Sequence, residues 1–177
     1  MDLTNILILV SAAVIILLLW GIVGVRHLKR LRKEVSDQWG VIYDALRKRQ
    51  DIVPNLIETV RAHKEDQEEL FKGLIKDRMN AAKEQEPGEK KIELEYDLSK
   101  AIDAVFALEK DEGELASDTN FLELKKEIDD LERSIEDQSK KYNEMVRLYD
   151  KHRRLVFLKP VAAIFGFEMV NIFEVEI

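Results

Sequence analysis

The apolar residues of this 177-residue chain follow two regimes. From Ile6 to Val25, ILILVSAAVIILLLWGIVGV, twenty positions pass without a charge; beyond them the apolar residues thin into steps of three and four. The stripe Leu28, Leu31, Val35, Trp39, Ile42 and Leu46 predicts an amphipathic helix, and the pattern resumes at Val53, Leu56, Val60, Phe71 and Leu74. Leu94, Leu98, Ala101, Val105 and Leu108 predict a second helix over residues 90–111, bounded by EPGEK and DEGELASDTN. The longest repeat runs through Phe121, Leu124, Ile128, Leu131, Ile135, Gln138, Tyr142, Met145, Tyr149, His152 and Val156. It is a heptad seam on a helix about 54 Å long, with Asn120 and Glu123 placed to form a capping box. Lys125, Lys126, Asp129, Asp130, Arg133, Asp137 and Lys140 fall on its other face and read as solvated.

A twenty-residue uncharged helix is about 30 Å long, the thickness of a bilayer's hydrocarbon core. Fourteen of its residues are Ile, Leu or Val, and together they favour insertion by roughly 4 to 8 kcal/mol. Ile6, Leu9, Ile16, Leu19 and Val25 supply its apolar surface, and Trp20 stands near the end where an indole suits the headgroup level. Only MDLTN precedes the run, with one acid and no base, which is unlike a cleaved signal peptide. Arg26, Lys29, Arg30, Arg32 and Lys33 follow it. The positive-inside rule then predicts an outer N-terminus and a cytoplasmic bundle, with the basic cluster near anionic headgroups.

Residues 34–177 hold 23 Lys and Arg against 34 Asp and Glu, a net of −11, so nucleic acid is an unsuitable partner. The absence of cysteine removes disulfides, thiolate metal sites and thiol catalysis. Seven glycines, three prolines and 36% charged residues favour an all-α chain. The expected division is a flank at 1–5, a transmembrane helix at 6–25, a basic segment at 26–33, a helical bundle at 34–157 and an apolar tail at 158–177. Pro160 is expected to end the long helix. The tail is expected to fold back over the bundle, with an exposed docking or interfacial segment as the alternative. Gln138, Tyr142, Tyr149 and His152 put polar groups on the seam, with partners sought in Gln38, Tyr43, Asn55, Thr59 and His63. They read either as a register-fixing hydrogen-bonded layer or as the lining of a ligand cavity. Pro54 lies inside the apolar pattern: either Asp51 caps a new helix with Pro54 in its first turn, or one long helix passes through Pro54.

RKRQDIVPNLIETV (47–60) resembles the LemA family's run of basic residues, Asp, two apolar residues and Pro-Asn-Leu, here Asp51, Pro54, Asn55 and Leu56. The segment 119–154 is similar to its second hallmark, with Asn120 and Phe121 opening a helix and Tyr142, Asn143 and Tyr149 later; Phe165, Gly166 and Phe167 resemble its C-terminal motif. The likeness covers most of residues 35–175 and departs over the Lys- and Glu-rich residues 80–118. It implies a membrane-anchored antiparallel four-helix bundle with long coiled-coil-like helices, and a helix boundary or sharp bend at Asp51 and Pro54. It implies no catalytic residues and no cofactor, and it associates the chain with a membrane-protein partner such as an HtpX-type metalloprotease; membrane lipid is expected from the span and its basic cluster, and a further copy of the chain is expected as a partner of the bundle. Glu-x-x-His pairs, His-Glu-x-x-His and a Gly-rich phosphate loop are all missing from the sequence. The expected function is therefore a non-enzymatic scaffold or adaptor in envelope organisation or quality control. The alternatives are a small-ligand or lipid sensor and an unrecognised hydrolase.

Overall fold

The computed structural model describes residues 3–64, 66–110 and 113–175. Two residues of the expected N-terminal flank, Glu65, two in the loop before Gly113 and the last two of the tail lie outside them. Five α-helices follow in order: α1, Leu3–Arg61; α2, Glu68–Lys83; α3, Glu89–Phe106; α4, Thr119–Arg153; and α5, Lys159–Ile164. Single 3-10 turns at Ala107–Lys110 and Leu115–Ser117 join α3 to α4, so the second helix stops short of the expected residue 111. No strand occurs among the described residues. The fold is a helical bundle with a long apolar N-terminal helix.

The chain divides into two compact units. One comprises residues 37–143 and 171–177, and in it segments of α1, α2, α3 and α4 form a four-helix core. Val53, Leu56 and Val60 meet Phe71 and Leu74, Leu98, Ile102 and Val105, and Phe121 and Ile128 there. The apolar steps of three and four thus become the inward faces of all four helices.

Helix α1 runs unbroken through Pro54, which corrects the boundary expected at Asp51. A proline there removes the N–H that would reach the carbonyl four residues back, at a cost of about 3 kcal/mol. That carbonyl belongs to Gln50, and Arg78 Nε on α2 donates to it at 2.6 Å. A neighbouring helix therefore replaces the missing donor, and α1 continues. Asp51 caps nothing; its carboxylate lies 3.8 Å from the same guanidinium.

The start of α4 also differs from expectation. Asp118, not Asn120, is the cap: its backbone is extended, and its Oδ1 accepts the Phe121 N–H at 2.8 Å, three residues on. Along α4 the seventh positions Phe121, Ile128, Ile135, Tyr142 and Tyr149 are all buried. The intervening buried positions in the C-terminal half are Ser139, Asn143 and Val146, and Ser139 and Val146 fall one residue past the expected Gln138 and Met145. A straight helix of 3.6 residues per turn drifts in this sense against a 3.5 repeat. Helix α4 ends at Arg153, and Val156 is 88% exposed. Pro160 does not end that helix; it stands in the first turn of α5, where a missing donor is harmless.

The other unit comprises residues 1–36 and 144–170. Its part of α1 is exposed at every position from Leu3 to Leu19, while Gly24, Leu28, Leu31 and Val35 are buried. A Cβ on Gly24 would lie 3.0 Å from Leu158 and 3.3 Å from Val161, so the glycine permits close approach of the α5 region. Helix α5 closes on Gly166, at φ +66°, with the Phe167 N–H reaching the Ala162 carbonyl at 3.0 Å. The Gly of Phe-Gly-Phe is thus a helix terminator, and Phe167 is buried behind it.

Candidate functional site

Three arrangements place polar chemistry or open apolar surface where packing alone would not. The first is a buried ion cluster centred on Glu95. Arg49 sits at an apolar-stripe position of α1, three residues after Leu46 and four before Val53, while Lys91 and Glu95 continue the α3 stripe backward from Leu98. All three are fully buried. Arg49 lies 2.5 Å from Glu95 Oε2 and 3.2 Å from Glu132 Oε1, and donates to Ser99 Oγ at 2.8 Å. Lys91 Nζ lies 2.7 Å from Glu95 Oε1 and donates to the Ala81 carbonyl at 2.8 Å; Gln50 Nε2 reaches Glu95 Oε1 at 2.9 Å. Two cations thus face two carboxylates, and Glu95 supplies the centre. Burial pushes the Glu132 carboxyl above its ordinary value, against the opposing pull of Arg49.

The second arrangement holds the C-terminal tail. Asn143 donates to the Phe173 carbonyl at 2.9 Å and accepts the Phe173 N–H at 2.8 Å, as a paired strand would. Tyr142 Oη donates to the Asn171 carbonyl at 2.8 Å, and the Trp39 ring stands 5.0 Å from the Phe173 ring. Asn171 Nδ2 in turn donates to the Pro87 carbonyl at 3.2 Å. In the other unit Tyr149 Oη donates to the Glu168 carbonyl at 2.9 Å. Burial raises the pKa of both tyrosines, most strongly at Tyr142, so both hydroxyls remain donors. Of the expected polar pairings Gln38–Gln138 forms, at 2.8 Å. His152 Nδ1 meets its own helix at the Leu148 carbonyl, and its ring lies 5.0 Å from that of His27. His63 Nε2 lies 3.0 Å from Asp118 Oδ2, so one carboxylate caps α4 and holds this histidine.

The third is a cleft of about 310 Å3 in the α5 unit, bounded by Trp20, Gly24 and His27 on α1 and by His152, Leu155 and Phe157. Its lining is mainly apolar.

The residues singled out from the sequence divide cleanly by environment. Ile6, Leu9, Ile16 and Leu19 are bare, whereas Trp20 and Val25 are half-buried. Arg26, Lys29, Arg30, Arg32 and Lys33 are exposed, with Arg30 Nε 2.9 Å from Glu34. Asp51, Pro54, Asn55, Asn120, Phe165 and Gly166 are exposed. Leu56, Phe121, Tyr142, Asn143, Tyr149 and Phe167 are buried. Asn55 and Asn120 line a polar groove of about 340 Å3 with Glu58, Glu123 and Glu127. Arg49, Lys91, Glu95, Arg78 and Asp118 were not singled out as site residues. Arg49 and Glu95 were detectable, because each is a charge in phase with an apolar stripe.

The LemA family's model matches residues 38–177, from just before Trp39 to the end of the tail. The chain belongs to the LemA family. No curated protein matches it closely enough to add a named relative. The LemA match begins after the apolar run and the basic cluster and takes in both the ion cluster and the tail clamp. The motif residues Tyr142, Asn143, Tyr149 and Phe167 are therefore packing and tail-holding groups in this LemA chain, and Leu56 and Phe121 are core. Among the described residues no group of His, Asp and Glu is arranged to hold a metal ion.

Proposed function

We propose that this LemA-family protein is a single-pass, membrane-anchored helical scaffold whose output is recruitment and not catalysis. The observation that carries the reading is the division of α1. Its first seventeen residues are all exposed and overwhelmingly apolar, and the same unbroken helix then supplies core residues from Leu28 to Val60. Water disfavours such a surface and a bilayer accommodates it. The five bases that follow orient the span with its N-terminus outside and the bundle in the cytoplasm. Recruitment fits the way polar groups are used: the seam tyrosines, Asn143 and Gln38 are bonded within the chain. His63 is occupied by Asp118, and the Ser117 hydroxyl beside it donates to turn carbonyls at Gly113 and Glu114. The scaffold would act as a homo-oligomer and present its acidic bundle to a membrane-protein partner in envelope organisation or quality control.

Crosslinking in native membranes, followed by identification of the captured proteins, tests recruitment. A recurrent membrane-protein partner, lost when the span is exchanged for a soluble leader, is the expected result. Turnover of a substrate by the purified chain, abolished by His63→Ala, would contradict it. Because the chain lacks cysteine, Ile75→Cys gives a single thiol at an exposed position of α2. An impermeant thiol reagent should leave it unlabelled in intact cells and label it after lysis.

A further inference from the structure

Residues 155–169 hold a cluster of exposed apolar side chains outside the N-terminal run. Val156 is 88% exposed, Ile164 77% and Met169 63%, and Phe157 and Phe165 are each more than half exposed. In α5, Val161 and Ala162 are buried, so the opposite side consists of Lys159, Pro160, Ala163 and Ile164. A short helix on a water-facing surface normally shows polar side chains there, and this one carries a single charge. An apolar patch of this kind marks an interaction site.

Position on α1 supplies the occupant. The α5 region is seated on Gly24 through Leu158 and Val161, one residue before the uncharged run ends at Val25. Trp20, a residue suited to the headgroup boundary, lines the adjoining cleft with Phe157. The exposed apolar surface is therefore continuous with the C-terminal end of the span. Charge agrees. This unit holds 10 Lys and Arg against 5 Asp and Glu, a net of +5, whereas the bundle unit holds 18 against 30, a net of −12. Exposed Arg26 and Lys29 follow the span, exposed Arg154 precedes the apolar segment and exposed Lys159 lies within it, the combination by which amphipathic segments settle into an anionic interface.

We propose that residues 155–169 form a second membrane contact, immersing Phe157, Ile164 and Phe165 in the anionic bilayer interface at the C-terminal end of the span. The inference rests on the membrane-spanning reading of α1. The segment would then lie in the interfacial plane and fix how the span meets the surface, so that one chain touches lipid twice.

Site-directed nitroxides on the full-length chain test this, reconstituted in phosphatidylcholine vesicles containing phosphatidylglycerol. Labels are placed singly at Leu17→Cys in the span, Phe157→Cys, Ile164→Cys and Phe165→Cys in the proposed contact, and Ile75→Cys on the bundle. Collision with oxygen should exceed collision with a water-soluble nickel chelate several-fold at 17, 157, 164 and 165, and the order should reverse at 75. Water-exposed labels at 157, 164 and 165 beside a lipid-immersed label at 17 would overturn this inference and leave the span intact. A water-exposed label at 17 would overturn both. Labels at 164 and 165 shielded from both reagents would show a second copy of the chain covering the surface and would also overturn it.

Discussion

At the scale of single residues, the energetic weight sits on charges in apolar positions. Removing one partner of a buried ion pair costs roughly 3–5 kcal/mol, because the remaining charge loses its compensation without regaining water. Glu95 balances Arg49 and Lys91 together. Glu95→Gln should therefore lower the unfolding free energy by about 3–5 kcal/mol in urea titrations. A combined Arg49→Met, Lys91→Met and Glu95→Leu replacement should cost less, since it removes the three fully buried charges at once and leaves only the partly exposed Glu132 carboxylate without its partner. Asp118 gives a pH signature. Its cap bond to the Phe121 N–H, and then His63, hold its carboxyl below the ordinary aspartate value. The stability it contributes is present above the unfolded-state pKa and fades as pH falls through the folded-state value. Asp118→Asn should flatten the acid side of a Tm-against-pH profile; an unchanged profile would show that this carboxyl does not titrate with folding. The phase of the stripes made Arg49 and Glu95 legible in sequence. Asp118 was not, because Asn120 with Glu123 matched a capping box and only the backbone shows where the helix begins.

At the scale of elements, Pro54 shows how one helix can depend on another. Periodicity leaves a continuous α1 open, and the family likeness favours a boundary or sharp bend at Asp51 and Pro54. What decided the matter was Arg78, twenty-four residues onward in sequence, donating to the carbonyl that proline leaves bare. No local pattern reveals such a donor. A double-mutant cycle follows: Arg78→Ala should cost about 1–2 kcal/mol beside Pro54 and clearly less in a Pro54→Ala background, where an alanine N–H serves Gln50 instead. Equal costs in both backgrounds would show that Arg78 acts elsewhere. The tail illustrates the same limit. Its apolar content predicted packing, and Phe167 and Phe173 are buried. The sequence points the seam's polar residues to side chains on other helices, as Gln138 finds Gln38, whereas Tyr142, Asn143 and Tyr149 bond to tail backbone, which carries no sequence signature.

For the whole molecule, the apolar run and the all-helical bundle were plain from the spacing of hydrophobic residues. The grouping of charge was half visible. The basic cluster after the span stood out, but the bases near the end of α4 belong to the same compact unit only because the chain returns there. The central claim is that the exposed N-terminal part of α1 lies in a bilayer. Alkaline carbonate extraction of membranes carrying the full chain tests it most directly. The intact protein should stay in the membrane pellet, and Leu9→Asp with Ile16→Asp should shift it to the supernatant with its helical circular dichroism preserved. Release of the unmodified chain into the supernatant would contradict the account.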